Sequence, residues 1–259
     1  MPGSIHQSTS NSRKQLVRRN VVPATTELNF LNLIFTSPLP RHTKSPVLWT
    51  HRRFVIESLL VESPQKGSIS SIPSLHDEMT VILAAAERHP KNYHAWTYAR
   101  WIWLHLWNEP ESQSRLPQLN ERIRSWCMSN ISDISGWMFY LWFLGSDRPW
   151  RPRLEQYQNP MDAVWKVLYM GREVVPGHEA LWTFIRGSAI GMEGVLDEDE
   201  RERVMTKMAF TLRGLQDGEG GLPVAEEKNL YHISRAIKFF LRAGYWPFTP
   251  NARPEETAV

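Results

Sequence analysis

The chain has 259 residues, a length that suits one large or two small globular domains. With 42% hydrophobic and 22% charged residues it can bury a sizeable core, which excludes a tail, a peptide or a collagen-like chain. Thirty basic residues against 27 acidic ones leave a formal charge of +3, which allows phosphate-bearing partners without demanding them. The feature to explain is the count of 12 Trp, because so many indoles need extensive packing sites.

Missing motifs narrow the chemistry. The lone Cys127 cannot form an internal disulfide, so a stapled secreted scaffold is excluded and a reducing, cytoplasmic setting is expected. Nine His are present, none in an H-E-x-x-H pair, and no metal or other cofactor is expected on this chain alone. The sequence has no G-x-x-x-x-G-K-[ST], no G-x-G-x-x-G and no G-x-S-x-G, which removes the sequence ground for a nucleotide or hydrolase site. No apolar run reaches the roughly 20 residues needed to cross a bilayer, so no transmembrane segment is expected. Any chemistry should therefore be shared with another chain.

In chain order, residues 1–26 hold no Asp or Glu but carry Arg13, Lys14, Arg18 and Arg19 among Ser and Thr. That composition reads as a flexible, solvated N-terminus with a faint transit-peptide bias. Glu27 to Phe35, with Leu28, Leu31 and Ile34, reads as one helix of a partial repeat. Asp77 to Arg88, stopped by His89-Pro90, and Tyr93 to Trp107, stopped by Asn108-Glu109-Pro110, form a helical hairpin. Gln118 to Ser129 and Ile134 to Leu144 form another, joined by the polar turn Asn130 to Asp133. Met161 to Val175 and Glu179 to Ile190 repeat the arrangement around Pro176-Gly177. Helices near Glu198 to Leu215 and Ala225 to Ala243 follow, and residues 247–259 read as a disordered, proline-rich tail. The expected fold class is all-α, an alpha-alpha superhelix of helical hairpin repeats over residues 27–246.

Internal repetition carries that expectation. Trp49, Trp96, Trp137 and Trp182 recur at intervals of 47, 41 and 45 residues. Four positions after each Trp stand Arg53, Arg100, Leu141 and Arg186, and seven after stand Ile56, Trp103, Leu144 and Ala189. Steps of four and seven share one helix face, and in the second repeat this stripe runs through Tyr93, Trp96, Arg100, Trp103 and Trp107. An amphipathic helix buries such a stripe by stacking on its neighbours, with the indole as anchor and the Arg laid over an aromatic face or on carbonyls that end a helix. The repeat Trp residues are thus expected in the core, and Arg53, Arg100 and Arg186 beside them.

A Trp followed three or four residues later by Arg and preceded by Pro, Lys, Asn and Tyr resembles the repeat of protein prenyltransferase alpha subunits. Pro90-Lys91-Asn92-Tyr93-His94-Ala95-Trp96 carries the resemblance most fully, and it extends from Lys44 to about Met192. Pro46-Val47-Leu48-Trp49-Thr50-His51-Arg52-Arg53, Ser132-Asp133-Ile134-Ser135-Gly136 and Pro176-Gly177-His178-Glu179-Ala180-Leu181-Trp182 look most like the repeat-containing branch that supplies the alpha subunit of a type III geranylgeranyltransferase. The resemblance implies a crescent of helical hairpins wrapped on a beta subunit, of the Rab geranylgeranyltransferase type, that holds the zinc and the isoprenoid pocket. It implies a protein acceptor with a C-terminal cysteine, and an isoprenoid diphosphate shared at the interface. One lysine, five residues before a repeat Trp, meets the diphosphate in the relatives. Lys44 and Lys91 stand at that offset. Repeat order assigns the catalytic role to Lys44, with Lys91, Tyr93 and His94 on the substrate-binding edge.

The sequence departs from the pattern in places. Ala99 replaces the Arg three residues after Trp96, and the third repeat has Tyr140 and Leu141 with no Arg. A non-enzymatic helical-repeat scaffold for protein partners is therefore the alternative. Nucleic-acid binding is disfavoured, since the arginines lie on the Trp stripe and acids are interspersed.

Overall fold

The computed structural model describes residues 3–39, 42–66, 72–106, 110–145, 179–191, 206, 209, 213 and 227–242. These residues form α1 (Gly3–Arg18), α2 (Ala24–Thr36), α3 (Pro46–Lys66), α4 (Leu75–Arg88) and α5 (Tyr93–Leu106). The short α6 (Pro110–Ser114), α7 (Leu116–Ser129), α8 (Ile134–Leu144), α9 (Glu179–Gly191) and α10 (Glu227–Arg242) follow. No strand occurs among the described residues, in agreement with the all-α expectation.

Local chemistry sets the boundaries. Ser74 begins α4 with a reciprocal cap: its hydroxyl accepts from the Asp77 amide at 3.2 Å, and the Asp77 carboxylate accepts from the Ser74 amide at 3.3 Å. This cap explains why α4 starts two residues before the Asp77 expected from sequence. Asn92 and Asp133 cap α5 and α8 in the same sense, their side-chain oxygens accepting the amides of Ala95 at 3.3 Å and Gly136 at 2.9 Å. In the first repeat Ser45 takes this place, with its hydroxyl 3.5 Å from the Leu48 amide. The three caps stand four residues before Trp49, Trp96 and Trp137.

Contacts divide the chain into residues 1–140 and 141–259, with the boundary inside α8. In the first, α2 packs on α3 and α4, α3 on α5, α4 on α5 and α7, and α1 on α3. The core is aromatic: Trp49, Trp96 and Trp137 are buried together with Phe35, Tyr98, Trp103, Phe139 and Tyr140. In the second, α9 packs on α10, with Leu181, Trp182, Phe184, Ala236 and Ile237 buried. All four repeat Trp residues are therefore core residues, as the stripe predicts.

Two expectations change. Residues 1–26, read from their composition as a flexible terminus, contain α1, and Val17 on it is buried. The Arg13 guanidinium there holds the carboxylate of buried Glu27 on α2 through two bonds of 2.7 and 2.6 Å. A composition free of acids left α1 without a local partner in sequence; its partner lies on the next helix. The second change concerns the stripe. Tyr93 is 62% exposed, because it is the first residue of α5 and lies beyond the packed turn. Trp107, the helix at Met161 to Val175 and the tail 247–259 lie outside the described residues, as does most of Glu198 to Leu215, while Ala189 falls within α9.

Candidate functional site

The repeats meet through the same contacts twice in the first unit. The Trp49 ring lies 5.1 Å from Tyr98, two residues past Trp96, and the Trp96 ring lies 5.0 Å from Phe139, two residues past Trp137. Phe35 stacks on Trp49 at 4.0 Å, and Trp126 meets Trp96 edge-on at 5.0 Å, filling the other side of each indole. Offset and edge-on aromatic pairs of this kind add about 1 kcal/mol beyond the area they bury.

The polar side of each junction is equally regular. Buried Asn92 caps its own helix with one atom and with the other, Nδ2, donates to the Thr43 carbonyl at 2.8 Å. Buried Asp133 caps α8 with Oδ1 and with Oδ2 accepts the Lys91 amide at 2.6 Å. In each case the cap of one repeat grips the main chain of the loop that opens the preceding repeat. Lys91 is in the left-handed region at φ 56, a conformation costly for a lysine, and the Asp133 bond is one of the contacts that hold it there.

These grips position the candidate site. Thr43 precedes Lys44, and Asn92 lies between Lys91 and Tyr93, so one hydrogen bond joins the Lys44 loop to the segment that carries Lys91 and, at the start of α5, Tyr93 and His94. Both lysines are exposed, and neither makes an ion pair among the described residues. The Tyr93 and His94 rings meet edge-on at 5.7 Å, with Tyr93 exposed and His94 half-buried. Two turns further on, burial lowers the pKa of Arg100, partly offset by the nearby Tyr93. This edge therefore offers two exposed ammonium groups beside a phenol and an imidazole. That set can meet an anion from water while the chain beneath is fixed.

Arg53 lays its guanidinium over an aromatic face, 4.9 Å from the Trp101 ring, while its 52% exposed side chain pairs with Glu57 at 2.9 Å. The buried arginine is Arg52, one place earlier, which grips Glu78 of α4 at 2.9 and 2.6 Å. Tyr98 donates to the same carboxylate at 2.7 Å, and burial followed by the Glu78 charge raises its phenol well above the ordinary range. Three positions past Trp49 faces α4, whereas four positions past faces the rim. Arg100 and Arg186 are half-buried, and Arg186 reaches Thr183 on its own helix at 3.3 Å. Thr43, Arg52, Glu78, Asn92 and Asp133 escape a search for the Trp-Arg stripe. The signal for the caps was the Ser, Asn and Asp four places before Trp49, Trp96 and Trp137.

Among the described residues no group of three His, Cys, Asp or Glu side chains is placed to hold a metal ion. Burial pushes the Cys127 thiol well up, so it is held as a neutral packing group. Among the described residues no helix is long and apolar enough to cross a membrane.

Comparison with known proteins agrees with the repeat reading. Residues 48–159 match the family described as the ECM9 middle domain. The chain is 30% identical over 147 residues to protein prenyltransferase alpha subunit repeat-containing protein 1 of Homo sapiens, covering 52% of this chain and 35% of that protein. The protein of the same name from Danio rerio is 31% identical over 144 residues, covering 50% and 32%. Its 1-B form from Xenopus laevis is 28% identical over 147 residues, covering 52% and 33%. The chain therefore spans about a third of the length of the curated relatives it matches.

Proposed function

We propose that this chain is the alpha subunit of a heterodimeric, cytoplasmic protein prenyltransferase, in which helical hairpins continue as a superhelix around a beta subunit of the Rab geranylgeranyltransferase type. The observation that carries the reading is the Asn92–Thr43 hydrogen bond, which brings the Lys44 loop beside Lys91, Tyr93 and His94. The names of the similar proteins support it.

The reaction is transfer of a geranylgeranyl or farnesyl group to a cysteine of a protein acceptor. The thiolate sulfur bonds to the first isoprenoid carbon, the carbon–oxygen bond breaks, and diphosphate leaves with the electron pair. Negative charge grows on the departing oxygens, and a cation placed there stabilises that change. Lys44 is the residue for this role, with Lys91, Tyr93 and His94 lining the edge that receives the diphosphate. Zinc belongs to the partner's site, where it supplies activation of the acceptor thiol.

Co-expression with candidate beta subunits, followed by an isoprenoid-transfer assay, tests the proposal. A stable pair is expected, and Lys44→Ala should lower kcat about 100-fold while leaving the pair assembled, on the scale of removing one electrostatic group at a developing charge. Failure to pair with every prenyltransferase beta subunit, or no transfer to any acceptor, would leave the repeat scaffold as the function. The irregular third repeat, with Tyr140 and Leu141 where arginine is expected, is the feature that favours that second reading.

A further inference from the structure

A flexible lysine is useful at a reacting diphosphate only if its main chain is fixed, because displacing a charged group by about 1 Å costs up to 100-fold in rate. Lys44 sits on a turn in which the Ser45 amide donates to the His42 carbonyl at 3.0 Å. The carbonyl of the residue before it, buried Thr43, accepts two bonds at once: from the Trp49 indole at 2.8 Å and from Asn92 Nδ2 at 2.8 Å. The first donor belongs to the same repeat and the second to the following one. The Lys44 backbone is thus fixed relative to both repeats.

The second junction is built differently. There the grip is an anionic carboxylate, Asp133, taking the Lys91 amide. At the first junction the grip is a neutral amide that donates, so the potential at Lys44 is not reduced by a carboxylate in its own clasp. A cation meant for a diphosphate needs that difference.

We propose that Asn92 is a positioning residue for Lys44: it caps α5 with its oxygen and fixes the Lys44 loop with its nitrogen, so that this lysine is held at the isoprenoid diphosphate. The inference rests on the reading of Lys44 given above. Asn92 itself touches no substrate.

The test uses the full chain paired with its beta subunit. Asn92→Ser keeps a cap for the Ala95 amide, as Ser45 does in the first repeat, adds no charge and removes the donor to Thr43. It should lower kcat about 10-fold. In a Lys44→Ala background the same substitution should cost nothing further, because the residue acts through the lysine. Amide hydrogen exchange in residues 42–49 should speed up, with α4 and α7 unchanged. Trp49→Phe, which removes the other donor to Thr43 while keeping an aromatic ring against Phe35 and Tyr98, should reproduce the coupling to Lys44 in a smaller form and serves if Asn92→Ser fails to fold.

If Lys44→Ala lowers turnover but Asn92→Ser is silent, or costs the same with and without Lys44, the positioning role is overturned and the Lys44 reading stands. If Lys44→Ala leaves turnover intact, the Lys44 reading falls and the positioning role falls with it.

Discussion

The position three residues past the repeat Trp is filled by Arg52 in the first repeat, Ala99 in the second and Tyr140 in the third, and all three are buried. The first repeat therefore carries an ion pair where the next two carry apolar bulk. Arg52 lies 5.8 and 5.9 Å from the Phe35 and Tyr98 rings, and its charge is answered by Glu78 of α4. Burying two charges costs several kcal/mol before their attraction returns it, so such a pair is no proof of added stability. Its clearer consequence is register: the two-pronged contact ties Arg52 of α3 to one position on α4, whereas apolar contacts tolerate small slips. The same position of the repeat thus holds a charged side chain in one unit and Ala or Tyr in the others.

Breaking that pair should give the largest effect. Glu78→Leu leaves Arg52 buried without its carboxylate and should destabilise the chain by about 3–5 kcal/mol in thermal or denaturant unfolding. The double substitution Arg52→Met with Glu78→Leu should recover most of the loss. If the double variant is as unstable as the single one, the ion pair is essential to the fold rather than exchangeable.

A smaller effect is expected where the apolar second and third repeats meet. A Cβ on Gly136 would lie 2.4 Å from Trp126 Cζ3 and 3.1 Å from Trp96 Cζ2. Gly136→Ala should therefore cost about 1–3 kcal/mol through overpacking, read as a lower midpoint in denaturant with an unchanged slope.

The anchor of α1 on the first repeat gives a pH dependence. Burial pushes the Glu27 carboxyl up, but hydrogen bonds from Arg13 and His51 outweigh it and hold the group below the ordinary value of 4.5. Burial pushes His51 below 6.5 and exceeds the opposing pull of Glu27, whose carboxylate lies 2.6 Å from Nε2; the Lys14 and Arg13 charges lower it further. A folded histidine below its unfolded value binds fewer protons than the unfolded chain, so stability is full above about pH 6.5 and declines as pH falls through that value. Glu27 adds a second loss of the same sign as pH falls below 4.5 and through its lowered folded pKa. The melting temperature should fall between pH 7.5 and 5.5. His51→Gln, which can still donate to Glu27 but does not titrate, should flatten that decline.

The smallest effect belongs to Arg53. Its partner Glu57 is a similarly exposed neighbour on the same helix, and such pairs contribute a few tenths of a kcal/mol. Arg53→Ala should change stability by less than about 0.5 kcal/mol, against several for Arg52→Ala. Equal costs would undo the assignment of the core arginine.

Much of this fold is legible in the sequence because helices are specified locally. The periodic Trp residues and the stops at His89-Pro90 and Asn130 mark α4, α5, α7 and α8 to within a turn. Burial of the four repeat indoles follows from their spacing alone. The sequence also brings out Lys44 and Lys91, though only through their offset from a repeat Trp.

Tertiary structure decided the pairings. Periodicity cannot choose between Arg52 and Arg53, which differ by a 100° turn of one helix, until α4 presents Glu78. Nor can it show that Arg13, Glu27 and His51 meet from three helices, or that Asn92 reaches a carbonyl 49 residues before it. A helix states which face it will bury. What it buries that face against, and hence which charge is answered and which loop is held, depends on elements that only the packed chain brings together.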